Sequence, residues 1–356
     1  MTTENEDQRP ERSEQTQPRA ILTNPEALTN PSAEDEANAM RPPSLNPDED
    51  LLEDFPPDSE DVDLVHCRIT SIPALGLQKL TAVLRLCLRQ NEISRIEGLE
   101  CIAGTLQDID LYDNAIGHMT RDLEVLVNLE NLDLSYNDLK HIKNLEKLVK
   151  LKNLYLASNR IGTIEGLGTL VELKNLEMGA NKVREIQNLE NLTKLEELWL
   201  GKNKISEIKN ISMLSNLKIL SLPSNRLTKL SGLDGLTNLE ELYVSHNAIE
   251  DLSGLENTPN IKNLDVTHNR LTSIRGIEHL SHIVDFWASE NQLSSFKEVE
   301  DVLKDKAELE TVYFEANPLQ LMGPATYRNK VRLAIPHIKQ IDASKSSHPS
   351  PVLYLV

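Results

Sequence analysis

The nine residues Leu195-Glu196-Glu197-Leu198-Trp199-Leu200-Gly201-Lys202-Asn203 decide the architecture. Leucines stand at the first, fourth and sixth places and an asparagine at the ninth. The Leu198-Trp199-Leu200 centre alternates with the period of two of a short strand, its leucines inward and its other side chains outward. Leu151, Leu154, Leu156 and Asn159 repeat the phrase. The closing asparagine recurs at Asn91, Asn114, Asn137, Asn159, Asn181, Asn203, Asn225, Asn247, Asn269, Asn291 and Asn317, with spacings of 23, 23, then 22 seven times, then 26. A chain of 356 residues exceeds what one hydrophobic core usually organises. A fixed period of this length instead marks stacked coils that bury their leucines against one another.

L-x-x-L-x-L-x-x-N is the pattern of a leucine-rich repeat. The fold it predicts is an α/β repeat, a leucine-rich-repeat solenoid with a parallel concave sheet of about 12 short strands. At about 4.8 Å per strand the sheet would be roughly 55 Å long. After each asparagine, apolar residues follow two and five places on, as at Ile205 and Ile208, and then pairs such as Gly232-Leu233. So short a coil leaves little length for its return, so the convex side is expected to carry 3₁₀ or short helical turns. The asparagine amide is both donor and acceptor, and is expected to pair backbone groups that the turn would leave buried and unpaired.

A degenerate first unit has Val62, Leu64 and Ile69 in phase, with Cys67 at the asparagine position. The segment Tyr327 to Asp342 breaks the repeat with Val331, Leu333, Ile335, Ile338 and Ile341, as a cap over the last coil's core must. The expected organisation is a disordered acidic, proline-rich tail over 1–60, repeats over 61–319, a C-terminal cap over 320–342 and a second tail over 343–356.

The tail assignment rests on composition. Residues 1–60 hold 16 Asp/Glu against 4 Arg and 9 of the 17 prolines, and such a segment buries too little apolar surface to offset its ordering entropy. It has no basic start and apolar run of a signal peptide, and no stretch of about 18 apolar residues occurs. An intracellular protein without a membrane span is expected. Three cysteines, Cys67, Cys87 and Cys101, lack metal-ligand spacing and read as reduced thiols. Gly-rich phosphate loops, a G-x-S-x-G elbow and H-E-x-x-H are missing. No enzyme, no cofactor and no metal are therefore expected. His246 and His268 precede successive ladder asparagines and are expected to stack at one rim without a carboxylate or thiol to complete a metal site.

The outward positions carry the functional signal. Four places before each asparagine the column reads Cys87, Asp110, Asp133, Tyr155, Glu177, Trp199, Ser221, Tyr243, Asp265, Trp287 and Tyr313, so both tryptophans and three of the seven tyrosines face outward. Six places before, it reads Arg85, Asp108, Asn131, Asn153, Asn175, Glu197, Ile219, Glu241, Asn263, Asp285 and Thr311. The two columns together hold eight acids and one base. Exposed Trp and Tyr are the residues that dominate protein interfaces, and the charge implies a basic protein partner and excludes nucleic acid. The bland reading is that rings raise strand propensity and acids raise solubility. Solubility, however, would not gather the rings in one column. Being outward, the tryptophans are expected to contribute little to folding.

The phrases Leu86-Cys87-Leu88-Arg89-Gln90-Asn91, Asp110-Leu111-Tyr112-Asp113-Asn114 and Leu200-Gly201-Lys202-Asn203-Lys204-Ile205, with the cap phrase running from Tyr327-Arg328 to Pro336, resemble the regulatory subunit 7 family of protein phosphatase 1 regulators over residues 62–342. That resemblance implies a regulatory subunit of nucleus and cytoplasm that binds the phosphatase catalytic subunit on its concave face and acts in its biogenesis and in mitosis. It also implies a ternary complex with a phosphatase inhibitor polypeptide. The residues matching the family's contact set are Asp133, Tyr155, Glu177, Trp199, Asp265, Asp285, Trp287 and Tyr313. Residues 1–60 and the tail after Asp342 fall outside it. A structural ribonucleoprotein adaptor uses similar repeats with a similar cap, and the acidic column with two tryptophans is the feature that separates it. An enzyme-linked ubiquitin or signalling adaptor would normally show an extra domain, which the short polar tails are not expected to supply.

Overall fold

The computed structural model describes residues 51–343. Thirteen parallel strands lie side by side in chain order, from β1 (Asp61–Asp63) to β13 (Gln340–Ile341). Those that carry the site are β4 (Asn131–Asp133), β5 (Asn153–Tyr155), β6 (Asn175–Glu177), β7 (Glu197–Trp199), β8 (Ile219–Ser221), β9 (Glu241–Tyr243), β10 (Asn263–Asp265), β11 (Asp285–Trp287) and β12 (Thr311–Tyr313). Each is three residues long with its central residue buried. The core is one continuous column of leucines and isoleucines running from Leu52 to Ile341. The convex return is made of turns and short 3₁₀ segments such as Arg121–Val125, as the coil length requires. No helix among the described residues is long and apolar enough to cross a membrane.

The asparagine ladder holds the coils together. Asn181 is 8% exposed, and its Nδ2 donates to the carbonyls of Leu156 at 2.8 Å, Met178 at 3.2 Å and Gly179 at 3.1 Å. Its Oδ1 accepts from the Ile161 backbone N–H of the preceding coil at 2.9 Å. The residue before each asparagine sits in the left-handed region, for example Ala180 at φ 53° and Lys202 at φ 52°, a conformation that costs side-chain-bearing residues energy. The ladder hydrogen bonds offset that cost. At Gly232 (φ 82°) a Cβ would lie 2.1 Å from the Ile208 carbonyl oxygen, so the turn requires glycine.

Four features differ from the sequence reading. First, the folded unit begins by residue 51 rather than 61. Leu52 is 3% exposed and Phe55 packs on the same core, while Pro57 and Glu60 carbonyls accept from Thr81, Leu84 and Arg85. Two apolar residues suffice to close the first coil despite the acidic composition around them. Residues 1–50 and 344–356, which hold the rest of the two expected tails, lie outside the described residues. Second, β13 adds a strand from the cap, covering the edge that β12 would otherwise present. Third, the coil with 26 residues forms a true helix, α1 (Phe296–Leu303), capped by Ser295 accepting from Glu298 N–H at 3.1 Å. Fourth, the cap contains α2 (Pro318–Leu321) and α3 (Pro324–Ala334). Tyr327, Val331, Ile335 and Ile341 are buried as expected, whereas Leu333 is 79% exposed, because it lies on the helix face opposite Tyr327 and Val331.

Lys306, just after α1, is 4% exposed. Its ammonium donates to the carbonyls of Ile277 at 2.8 Å, Leu280 at 2.9 Å and Glu278 at 3.2 Å, clamping the last coils. Lys306→Met keeps the stem and leaves three carbonyls without this donor. Urea denaturation is expected to show a loss of about 2 kcal/mol, and an unchanged midpoint would contradict the clamp.

Candidate protein-binding face

Parallel register aligns Glu177, Trp199, Ser221, Tyr243, Asp265, Trp287 and Tyr313 as one outward row on β6 to β12. Large rings alternate with the smaller Ser221 and Asp265, so rings two strands apart close over them. Trp199 and Tyr243 stack with centroids 6.4 Å apart and planes 16° apart. Tyr243 and Trp287 lie 6.3 Å apart, and Trp287 and Tyr313, on neighbouring strands, 5.8 Å. Two strand spacings on a flat sheet measure about 9.6 Å, so the sheet's curvature draws these rings together.

This stacking corrects the expectation of exposed tryptophans. Trp199 is only 8% and Tyr243 6% exposed, and Ser221 beneath them is fully buried. Tyr155, Trp287 and Tyr313 remain half-buried. Polar tips hold the rings in place. Trp199 Nε1 donates to Glu197 Oε2 at 3.1 Å, Tyr243 OH donates to Glu241 Oε2, and Gln340 Nε2 donates to Tyr313 OH at 2.8 Å. Tyr243 touches both tryptophans, yet it is not among the eight residues matched to the family's contact set. The serine and aspartate that alternate with the rings were the signal for it.

The acids are held in a costly state. Asp133 Oδ1 accepts from Ser135 N–H at 2.8 Å and Asp265 Oδ1 from Thr267 N–H at 2.9 Å. Burial raises both carboxyls above the ordinary range. Burial, with Asp133 nearby, raises Glu177 to about 7 and also raises Asp110. The Tyr155 phenol is pushed up to about 12 by burial and then by Asp133 and Glu177. Arg89 pairs with Asp110 at 3.3 Å and lies 4.2 Å over the Tyr112 ring. None of the other ion pairs among the described residues includes Asp133, Glu177, Glu197, Glu241, Asp265 or Asp285. The adjacent rim differs sharply: Glu130–Lys152, Lys174–Glu196–Lys218, Glu240–Lys262 and Glu310–Lys339 all pair within 3.2 Å. Charge is thus neutralised along the rim, while the concave acids from β4 to β11 have no cation partner among the described ion pairs.

A pH effect follows. The unfolded chain releases the Glu177 proton near pH 4.5 and the folded chain near 7, so the folded state holds more protons between these values and loses stability as pH rises through them. Glu177→Gln removes that term. Denaturation at pH 5 and pH 8 is expected to show the variant gaining on the wild type by on the order of 2 kcal/mol. A pH-independent difference would contradict the burial argument.

His246 and His268 stack at one rim as expected, with centroids 4.5 Å apart, but the rim does carry a carboxylate, since Glu290 precedes the next ladder asparagine and lies 2.7 Å from His268 Nδ1. No group of three residues placed to hold a metal ion occurs among the described residues. The eight residues matched to the family's contact set all lie in the two outward columns. Asp133, Tyr155, Glu177 and Trp199 are on four consecutive strands, and Asp265, Asp285, Trp287 and Tyr313 on three more.

The family of leucine-rich repeats in two copies matches residues 127–169 and 215–257. The chain is 46% identical over 104 residues to the protein phosphatase 1 regulatory subunit SDS22 of Saccharomyces cerevisiae, 29% of this chain and 31% of that protein. It is 47% identical over 89 residues to SDS22 of Schizosaccharomyces pombe, 25% of this chain and 23% of that protein. To human protein phosphatase 1 regulatory subunit 7 it is 54% identical over 44 residues, 12% of each chain. The matched segments thus span less than a third of these relatives. Among solved structures an internalin from Listeria monocytogenes superposes with a TM-score of 0.63 over 81% of this chain and 87% of its own, at 22% identity. A leucine-rich-repeat protein of Leptospira interrogans gives 0.59 over 77% and 81%, at 23% identity. At these identities the two show the fold alone. The chain is a leucine-rich-repeat solenoid, and the curated proteins that its sequence resembles are protein phosphatase 1 regulatory subunits of the SDS22 and regulatory subunit 7 type.

Proposed function

We propose that the chain is a non-catalytic regulatory subunit that seats the catalytic subunit of protein phosphatase 1 on its concave face. The observation that carries this reading is the contrast between two neighbouring columns. The rim acids Glu130, Glu196, Glu240 and Glu310 have lysine partners, while Asp133, Glu177 and Asp265 in the ring row and Asp285 in the column beside it have none among the described residues. Burying unpaired carboxylates costs stability, and a basic protein surface laid on them recovers that cost. The rings give the same surface a large amphipathic area. Similarity to named phosphatase regulatory subunits selects this partner from other basic proteins. A nuclear and cytoplasmic location, a part in mitosis and a ternary complex with an inhibitor polypeptide belong to the same proposal. The test is co-purification of the phosphatase catalytic subunit with immobilised full chain at rising salt. Retention that weakens steadily with ionic strength is expected, and absence of retention even at low salt would overturn the reading.

A further inference from the structure

The middle of the concave face carries a second pattern, outside the eight residues matched to the family's contact set. Register places Glu197, Ile219 and Glu241 side by side in one outward column, with Trp199, Ser221 and Tyr243 beside them. Each carboxylate already spends one oxygen on a neutral donor. Glu197 Oε2 accepts from Trp199 Nε1 and from Asn175 Nδ2, both at 3.1 Å, and Glu241 Oε2 accepts from Tyr243 OH. Neither has a cation partner among the described ion pairs. Two further acceptors are buried and unpaired here: Ser221 Oγ, on a residue with no exposed surface, and Asn175 Oδ1. The carboxylate and amide oxygens at this place are acceptors, the indole N–H of Trp199 and the Tyr243 hydroxyl are already committed as donors, and the Ser221 hydroxyl, which can donate or accept, lies covered beneath the rings.

From this geometry we propose that Glu197, Ile219 and Glu241, held by the Trp199–Tyr243 stack, form a receptor for one arginine side chain of a protein partner. The guanidinium bridges the two carboxylates and the aliphatic stem lies on the half-buried Ile219. The carboxylates stand two strands apart, about 9.6 Å at the backbone. A planar fork with five donors reaches both, whereas an ammonium serves one at a time. The near-parallel rings fix both carboxylates before the ligand arrives, which lowers the ordering cost of binding. Assigning the arginine to the phosphatase rests on the reading above, but the receptor itself does not.

The test uses the full chain labelled with 5-fluorotryptophan, whose two fluorine signals are assigned with Trp287→Phe. The probe is a blocked Gly-Arg-Gly peptide, with lysine and citrulline counterparts. The arginine peptide is expected to move the Trp199 signal saturably, the lysine peptide to bind about three-fold or more weakly, and the uncharged citrulline peptide to leave the signal in place. Glu197→Gln with Glu241→Gln keeps the side-chain shapes and is expected to abolish the shift. No shift in the wild type, an equal shift with citrulline, or an undiminished shift in the double variant would each overturn the receptor. The same variant is then titrated with the phosphatase catalytic subunit. If the wild type fails to bind the phosphatase while the peptide shift persists, the phosphatase reading falls and the receptor stands.

Discussion

Asn181→Leu is expected to destabilise the solenoid by about 3–5 kcal/mol, because a leucine at this place satisfies none of the four hydrogen bonds that the amide makes. Three of them run to carbonyls of Leu156, Met178 and Gly179, and the fourth receives the Ile161 N–H from the preceding coil. Each of the three carbonyls keeps a second donor, Leu156 O from Asn159, Met178 O from Asn203 and Gly179 O from Ser158, but the Ile161 N–H is left buried and unpaired beside an apolar side chain, and such a group costs about 1–3 kcal/mol. Ala180, held at φ 53°, also loses the contacts that offset its strain. Stability in a repeat array is shared with nearest neighbours, so a central rung should matter more than a terminal one. Urea denaturation followed by circular dichroism measures it, and a loss below about 1 kcal/mol would show that the ladder is dispensable.

Trp199→Ala is the second large effect. The outward position alone would make it neutral for folding. Stacked against Tyr243 and only 8% exposed, Trp199 is instead part of a small second core on the concave side. Truncating it is expected to cost about 3 kcal/mol, to uncover Ser221 and to release Glu197 from its indole donor. Trp199→Phe should recover most of the stability but not the hydrogen bond. If Trp199→Ala unfolds at the wild-type urea midpoint, the stack contributes nothing and the rings are merely adjacent.

The repeat, its strands, the ladder and the outward columns were all legible because they are local and periodic. Each depends on residues within one 22-residue coil, and the period reports it directly. The stack of Trp199, Tyr243 and Trp287 was not legible, since it depends on curvature that brings together residues 44 apart in sequence. Only the small Ser221 and the Asp265 between them hinted at it. The N-terminal boundary was missed for a related reason. Leu52 and Phe55 lie in a segment whose composition argues for disorder, and their burial is supplied by the first coil. Helix α1 left two traces, the 26-residue spacing and the Ser295-x-x-Glu298 capping pattern, which together mark a helix start. The missing cation partners of the concave acids could not be read from sequence, because Lys152, Lys174, Lys218 and Lys262 stand at the rim beside them and only side-chain geometry shows whom they pair with.

The proposed seating of the phosphatase on the concave face is tested most directly by calorimetric titration of the phosphatase catalytic subunit into wild type, Trp287→Ala and Val149→Ser. Trp287 is half-buried on the concave face, while Val149 is 47% exposed on the convex side. Loss of a tryptophan anchor typically costs at least about 2 kcal/mol of binding, roughly thirty-fold in affinity. Trp287→Ala is expected to weaken binding by about that factor or more while Val149→Ser binds as wild type does. Equal affinity for Trp287→Ala and wild type, or a loss confined to Val149→Ser, would contradict the account.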